Sequence, residues 1–400
     1  MTTTTRRRGR RGRVRGGRVR GGALAAAVAA IASGAALAGC GSSASSPSAS
    51  AGSAPSTAPA AASPPAAASP LATSLSTARD SWAIVPMSAD PVFWEVFVRP
   101  AKSATWQLVT PPGVADNGGL VAAADGGSGL TVAVRPSQDL QFTPVSATAD
   151  AGASWSADGP ISKDVAASPA ALAASGRQLA AVLANGTVEA SSDAGASWRT
   201  LAEPGAIAAS AAGPKCAAVH VSSVSFGPVP AQVLAAGDCG AAGAAGLFAY
   251  SAGEGWQRVS LPVSGPLVRL GAGTALVQAT DGLTALWADK DSWTASAALP
   301  ITNAVTASGG LAGATATSSD GTWVLLPGGQ AATIGGPGQQ WLLLPPTPAH
   351  TTVLASGPGT SIDALAVSGH TLTVWQLDHR STVWARAQTI SVPIESNSSS

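Results

Sequence analysis

Few side chains in this chain of 400 residues have the types and spacing for chemistry. The cysteines are Cys40, Cys216 and Cys239, the histidines are His220, His350, His370 and His379, and Tyr250 is the single tyrosine. The histidines lack metal-ligand spacing, so neither a zinc site nor a cofactor is expected. General acid–base and nucleophilic chemistry need a titratable pair or a nucleophile beside its base. No clustered set of His, Glu and Tyr meets that need. The triplet Asp289-Lys290-Asp291 reads as a solvated turn rather than a Ca²⁺ site. Asp150 and Asp193 stand out because their surroundings are nearly identical: Thr148-Ala149-Asp150-Ala151-Gly152-Ala153-Ser154-Trp155 recurs as Ser191-Ser192-Asp193-Ala194-Gly195-Ala196-Ser197-Trp198.

Each copy has the chemistry of a tight hairpin turn. The Asp carboxylate accepts bonds from nearby turn N–H groups, Gly152 or Gly195 supplies a positive φ, and Trp155 or Trp198 opens the next strand with a large apolar ring. The pattern resembles the Asp-box of bacterial neuraminidase repeats and is similar to photosystem II stability- and assembly-factor-like propellers. The resemblance implies a β-propeller with the box between the third and fourth strands of a blade. It also implies that Asp150 and Asp193 are structural, turned back on their own loops and away from any catalytic funnel.

The elements that position these turns repeat. Seven Trp residues (106, 155, 198, 256, 293, 341 and 384) each begin a segment that soon reaches Pro, and they follow one another at 37 to 58 residues, about 46 on average. That is the period of a four-stranded blade. Hairpin signals precede them: Asn185-Gly186, Asp281-Gly282, Gly328-Gly329 and Ser368-Gly369. The fold class is therefore all-β, a single propeller of seven four-stranded antiparallel blades over 80–394. Its units run 80–112, 113–161, 162–204, 205–263, 264–300, 301–346 and 347–394, and a disordered end follows at 395–400. The first unit lacks a strong first strand. Either Leu71 to Thr77 supplies it, or the ring closes with the C-terminal stretch Ile390 to Ile394, because an open ring would leave edge strands unpaired. Recurrence of Trp at one place in every blade reads as inter-blade packing.

The N-terminus reads as an export signal over 1–39. Nine arginines between Arg6 and Arg20 precede the apolar stretch Ala23 to Leu37, which ends in Leu37-Ala38-Gly39-Cys40. This ending is similar to the lipobox of bacterial lipoproteins, and the resemblance implies lipid attachment at Cys40. The segment 40–79 is Ser, Ala and Pro with no charge before Arg79, too polar to bury a core, and is expected to be a disordered tether. Its reach of roughly 35 Å lifts a domain off a membrane.

Removing the arginine-rich segment leaves 13 basic residues against 21 acidic ones, a net charge of −8. Nucleic-acid binding is disfavoured, because counterion release needs clustered Lys and Arg. In the oxidising compartment that export implies, Cys216 and Cys239 are expected to form a disulfide. The sialidase resemblance offers an alternative, a glycoside hydrolase with three arginines on a substrate carboxylate and a Tyr-Glu nucleophile. Its strand motif is met only by Phe97-Val98-Arg99-Pro100, with the order altered, while Arg99, Arg135 and Arg269 could supply the arginines and Tyr250 the tyrosine. The expected function is a non-catalytic binding or assembly module, a monomer on the extracytoplasmic face of the cell membrane, recognising a protein or an envelope glycan.

Overall fold

The computed structural model describes residues 73–392 apart from 78, 88–93, 112–119, 125–128, 135–143, 158, 160–168, 211–218, 239–245, 291, 302–314, 319–320 and 327. The signal at 1–39, nearly all of the tether at 40–79, the end at 395–400, the residues Cys40, Cys216 and Cys239, and Arg135 lie outside the described residues.

The chain forms seven four-stranded antiparallel blades arranged as a β-propeller. Blade 1 is β1 (Thr73–Ser76), β2 (Asp80–Pro86), β3 (Trp94–Pro100) and β4 (Gln107–Leu108). Blade 2 is β5 (Leu120–Ala124), β6 (Leu130–Val134), β7 (Val145–Thr148) and β8 (Ser156–Ala157). Blade 3 is β9 (Pro169–Ser175), β10 (Gln178–Leu183), β11 (Val188–Ser191) and β12 (Arg199–Ala202), followed by a one-turn helix, α1 (Ala206–Ala209). Blade 4 is β13 (His220–Phe226), β14 (Val233–Asp238), β15 (Gly246–Ser251) and β16 (Gly255–Val259). Blade 5 is β17 (Leu267–Gly271), β18 (Thr274–Ala279), β19 (Gly282–Asp289) and β20 (Ser292–Ala295). Blade 6 is β21 (Thr315–Ser318), β22 (Gly321–Leu325), β23 (Ala331–Ile334) and β24 (Leu342–Leu343). Blade 7 is β25 (Thr351–Ser356), β26 (Ile362–Ser368), β27 (Thr371–Leu377) and β28 (Ala385–Ser391).

The ambiguity at blade 1 resolves in favour of the upstream segment. β1 pairs with β2 from Thr73↔Ile84 to Ser76↔Ser81, so part of the stretch assigned to the tether is the innermost strand of the first blade. The C-terminal strand β28 pairs within its own blade, with β27. Ring closure therefore shares no strand, and β1 lies against both β25 and β21, the first strands of blades 7 and 6.

The core is divided among the seven joints. One apolar cluster fills each, from Trp82, Ile84, Val96 and Leu130 between blades 1 and 2 to Phe97, Val353, Leu365 and Leu372 between blades 7 and 1. This follows from the period-2 alternation of the middle strands, which are apolar on both faces because each blade is covered on both sides. The first strands crowd toward the axis and are correspondingly small, as in Leu120–Ala124 and Pro169–Ser175 with their runs of Ala. The fourth strands, at the rim, are mostly exposed and polar or small, as in Ser156–Ala157 and Arg199–Ala202.

Turn chemistry places the hairpins. Gly186 sits at φ 87° in the turn between β10 and β11, and Gly328 and Gly329, at φ 83° and 80°, turn β22 into β23. In an antiparallel blade the turns between first and second strands and between third and fourth strands fall at the same end. The two Asp-box-like turns, which join β7 to β8 and β11 to β12, mark that end.

Candidate functional site

Asp150 and Asp193 are engaged by their own turns. Asp150 Oδ1 accepts the Ser154 N–H at 2.9 Å and the Thr148 hydroxyl at 2.8 Å, and Oδ2 accepts the Ser154 hydroxyl at 2.5 Å. Asp193 repeats the set with Ser197 and Ser191. The hydroxyl and amide of Ser154, and then the hydroxyl of Thr148, hold the Asp150 carboxyl down at about 2, and the same donors around Asp193 hold it at about 2. Such carboxylates are acceptors with their lone pairs in use, unsuited to proton transfer near neutral pH. Gly152 has φ 83°, and a Cβ there would stand 2.5 Å from Val109 Cβ of blade 1, so the turn packs on its neighbour at the one residue without a side chain.

Four of the seven recurring Trp residues stitch a joint through a carbonyl of the preceding blade. Indole N–H groups donate to a backbone carbonyl of the preceding blade, three or four residues past that blade's own Trp: Trp155 to Val109 O at 3.0 Å, Trp256 to Leu201 O at 3.1 Å, Trp341 to Ala297 O at 3.1 Å and Trp384 to Pro345 O at 3.2 Å. Trp198 departs from the pattern and donates to Gly195 O of its own turn at 3.0 Å.

At the closing joint the acceptor is a carboxylate. Trp106 Nε1 donates to Asp363 Oδ2 at 2.9 Å, and Asp363 also faces Arg99 Nε at 3.5 Å and accepts from Gln376 Nε2 at 3.3 Å. Arg99 Nη2 donates to Ser81 Oγ at 2.9 Å and to Ser356 O at 2.6 Å, and the guanidinium lies 5.9 Å from the Trp106 ring centroid. Gln388 on β28 clamps the Trp106 peptide, its Oε1 accepting the backbone N–H at 2.8 Å and its Nε2 donating to the carbonyl at 2.9 Å. One glutamine thus makes the two-bond contact a shared strand would have made. Burial pushes the Asp363 carboxyl up to about 6, against the lowering effects of the Trp106 bond, Arg99 and Gln376. Burial likewise pulls Arg99 below its ordinary value, against the attraction of Asp363 and Asp80.

The arginines and tyrosine considered for a hydrolase are dispersed over these roles. Arg99 belongs to the closing joint. Arg269 is on β17 and donates to Thr73 Oγ1 at 2.6 Å. Tyr250, near the end of β15, packs on Trp256 with centroids 5.3 Å apart and lies under Arg199 at 5.8 Å. Among the described residues, no group of three or more His, Cys, Asp or Glu could hold a metal ion. The loops at the end of the ring opposite the Asp-box-like turns, where a loop-lined funnel was expected, fall largely outside the described residues.

A cavity of about 490 Å³ lies between blades 6 and 7, at the Asp-box end. Its wall combines the apolar Trp323, Leu344, Ile362 and Leu377 with the hydroxyls of Thr333, Thr360, Ser361 and Ser381. The size and the mixture of apolar wall and few polar groups suit a binding pocket. On its rim the Thr360 hydroxyl meets His379 Nδ1 at 3.1 Å, and Arg380 Nε donates to His379 Nε2 at 3.0 Å. That leaves Nδ1 as the protonated nitrogen, facing the threonine oxygen. Beside the cavity Leu342, Leu343 and Val383 are exposed at 63%, 59% and 69%. Leu342 and Leu343 are the whole of β24, a rim strand whose two large apolar side chains stand in solvent.

Neither Asp363 nor this cavity was singled out from sequence. The readable signals were an acid one residue into the otherwise apolar strand Ile362–Ser368, and a Leu-Leu pair where other blades place polar or small rim residues.

No family model matches the chain, and no curated protein matches it. Solved structures do resemble it. A protein from Lactobacillus plantarum has a TM-score of 0.52 at 14% identity, covering 79% of this chain and 97% of its own. A GH74 xyloglucanase from Xanthomonas campestris has a TM-score of 0.50 at 16% identity, covering 76% of this chain. The present chain spans 51% of that enzyme's length. YCF48 bound to D1 peptide has a TM-score of 0.42 at 15% identity, covering 76% of this chain and 90% of its own. At these identities the likeness is one of fold.

Proposed function

We propose that the chain is a non-catalytic binding or assembly module, held by lipid at Cys40 on the extracytoplasmic face of the cell membrane, that engages a protein or envelope-glycan partner at the cleft between blades 6 and 7. The observation that carries this reading is the cavity of about 490 Å³ flanked by exposed Leu342, Leu343 and Val383. Exposed apolar side chains clustered at a concave site mark an interaction surface rather than ordinary solvent-facing structure. The reading also draws support from the occupation of the chemistry-bearing groups: Asp150, Asp193 and Arg99 are spent on turns and on the closing joint. The sialidase-like alternative needs arginines and a tyrosine converging on one substrate, and no shared contact of Arg99, Arg269 and Tyr250 favours it.

Affinity isolation from envelope extracts tests the reading. The wild-type chain is expected to retain one stoichiometric partner, and Leu342→Asp with Leu343→Asp is expected to lose it while unfolding at the wild-type temperature. Hydrolysis of sialosides or aryl glycosides by the purified chain, abolished by Tyr250→Phe, would overturn the reading.

A further inference from the structure

The first strands that surround the axis are almost without charge. Among their residues the only ionisable side chains are His220 on β13 and Arg269 on β17. Arg269 is placed by a β-bulge. Leu267 pairs with Val277 and Arg269 with Leu276, so Val268 is an extra residue in the strand. Strict alternation would send Leu267 and Arg269 to the same face. With the extra residue, Leu267 and Leu270 pack into the joint with blade 4 and Val268 into the joint with blade 6. Arg269 is left with neither apolar joint and turns to the axis, the re-aiming that bulges produce.

From there it reaches β1. Arg269 Nη2 donates to Thr73 Oγ1 at 2.6 Å, from blade 5 to blade 1, although blades 6 and 7 stand between them in the ring. Among the described residues no carboxylate pairs with Arg269, and burial pulls its pKa below the ordinary value. The side chain is half-buried among the first strands, which in a propeller surround a central channel. A guanidinium has five N–H donors in a planar fork that matches an oxyanion edge. Here one donor has a protein acceptor. A charge removed from bulk water without a counter-charge is costly, and an anion beside it relieves that cost.

We propose that Arg269, with Thr73, forms an anion site in the axial channel that takes a small oxyanion. The fork binds two oxygens of the ion, and the Thr73 hydroxyl, which accepts from Nη2, turns its own proton toward the ion. One arginine with one hydroxyl suits a free ion rather than an extended ligand, because the first strands offer no second arginine or lysine to hold another group. This site lies on the axis and is separate from the cleft between blades 6 and 7.

The test is a titration of the full-length chain with inorganic phosphate at constant ionic strength, followed by thermal unfolding and by ³¹P line width. Wild type is expected to show a saturable rise in unfolding midpoint, on the order of 2 °C, with broadening of the phosphate resonance that excess acetate or sulfate reverses. Arg269→Gln is expected to lose both effects, and Arg269→Lys to keep a weaker form. Should Arg269→Gln not fold, Thr73→Val serves, because it keeps the charge and removes the hydroxyl; it is expected to bind phosphate several-fold more weakly. Equal midpoint shifts and broadening in wild type and Arg269→Gln, or none in wild type, would overturn the proposal.

Discussion

The indole of Trp106 donates to Asp363 Oδ2 at 2.9 Å across 257 residues of sequence, and this bond joins the first blade to the last. At four other joints the indole acceptor is a neutral carbonyl of the preceding blade. Here it is a buried carboxylate that also holds Arg99, 1% exposed for Asp363 and 4% for Arg99. Asp363→Ala removes the acceptor shared by the Trp106 indole and Gln376 and leaves the Arg99 guanidinium without its partner. A loss of about 3 kcal/mol is expected, since breaking a buried pair strands the other charge. Trp106→Phe removes one hydrogen bond to a charged acceptor and is expected to cost about 2 kcal/mol. Urea denaturation of the single and double variants measures both, and the double variant should cost less than the sum because the two residues share one network.

The same carboxylate makes stability depend on pH. Its folded value, about 6, lies above the unfolded value near 4. The folded state therefore holds the proton more tightly than the unfolded state between those two pH values. Stability from this group is greatest below pH ~4 and falls as pH rises toward ~6, by on the order of 2 to 3 kcal/mol. Asp150 and Asp193, held at about 2, act in the opposite sense: their contribution is present above pH ~4 and is lost as pH falls toward 2. Denaturation midpoints from pH 2 to 8 are expected to flatten between 4 and 6 in Asp363→Asn. In Asp150→Asn with Asp193→Asn they are expected to flatten below 4.

The sequence is most informative where structure is made by neighbours in the chain. Asn185-Gly186 and Gly328-Gly329 mark hairpins because positive φ is a property of single residues, and Gly186, Gly328 and Gly329 all sit at positive φ in turns between second and third strands. The first strand of blade 1 was ambiguous because Thr73–Ser76 is short and polar, and becomes a strand through pairing with β2. The closing joint was not legible at all. Asp363, Arg99, Trp106 and Gln388 meet only once the ring is formed, and no spacing rule connects residues more than 250 apart. The cleft was missed for a related reason: a Leu-Leu pair looks like core until the rim strand that carries it is found to be exposed.

Cys216 and Cys239 are expected to be disulfide-bonded. In sequence Cys216 stands four residues before His220 and Cys239 directly after Asp238, and His220 pairs with Asp238. The intact mass of the exported protein should be lower by two hydrogens than that of the reduced protein. Replacing both by Ser should lower stability by about 3 kcal/mol. Two free thiols in the exported protein would remove this feature.

Lipid attachment at Cys40 predicts that Cys40→Ser releases the protein from the membrane fraction or blocks its maturation. Fractionation of cells expressing each form, with mass spectrometry of the mature N-terminus, checks it. Unchanged membrane retention of Cys40→Ser would instead mean that the apolar stretch Ala23 to Leu37 stays in place as an anchor.

The most direct measurement of the binding role is site-specific photocrosslinking in intact cells, with the reactive group placed at position 343 on the rim of blade 6 or at position 157 on the rim of blade 2. Both positions are solvent-exposed on fourth strands, and only the first adjoins the cleft. The account predicts one discrete crosslinked species from position 343 and none from position 157. Identical products from both positions, or none from position 343 in cells where the protein is correctly exported, would contradict it.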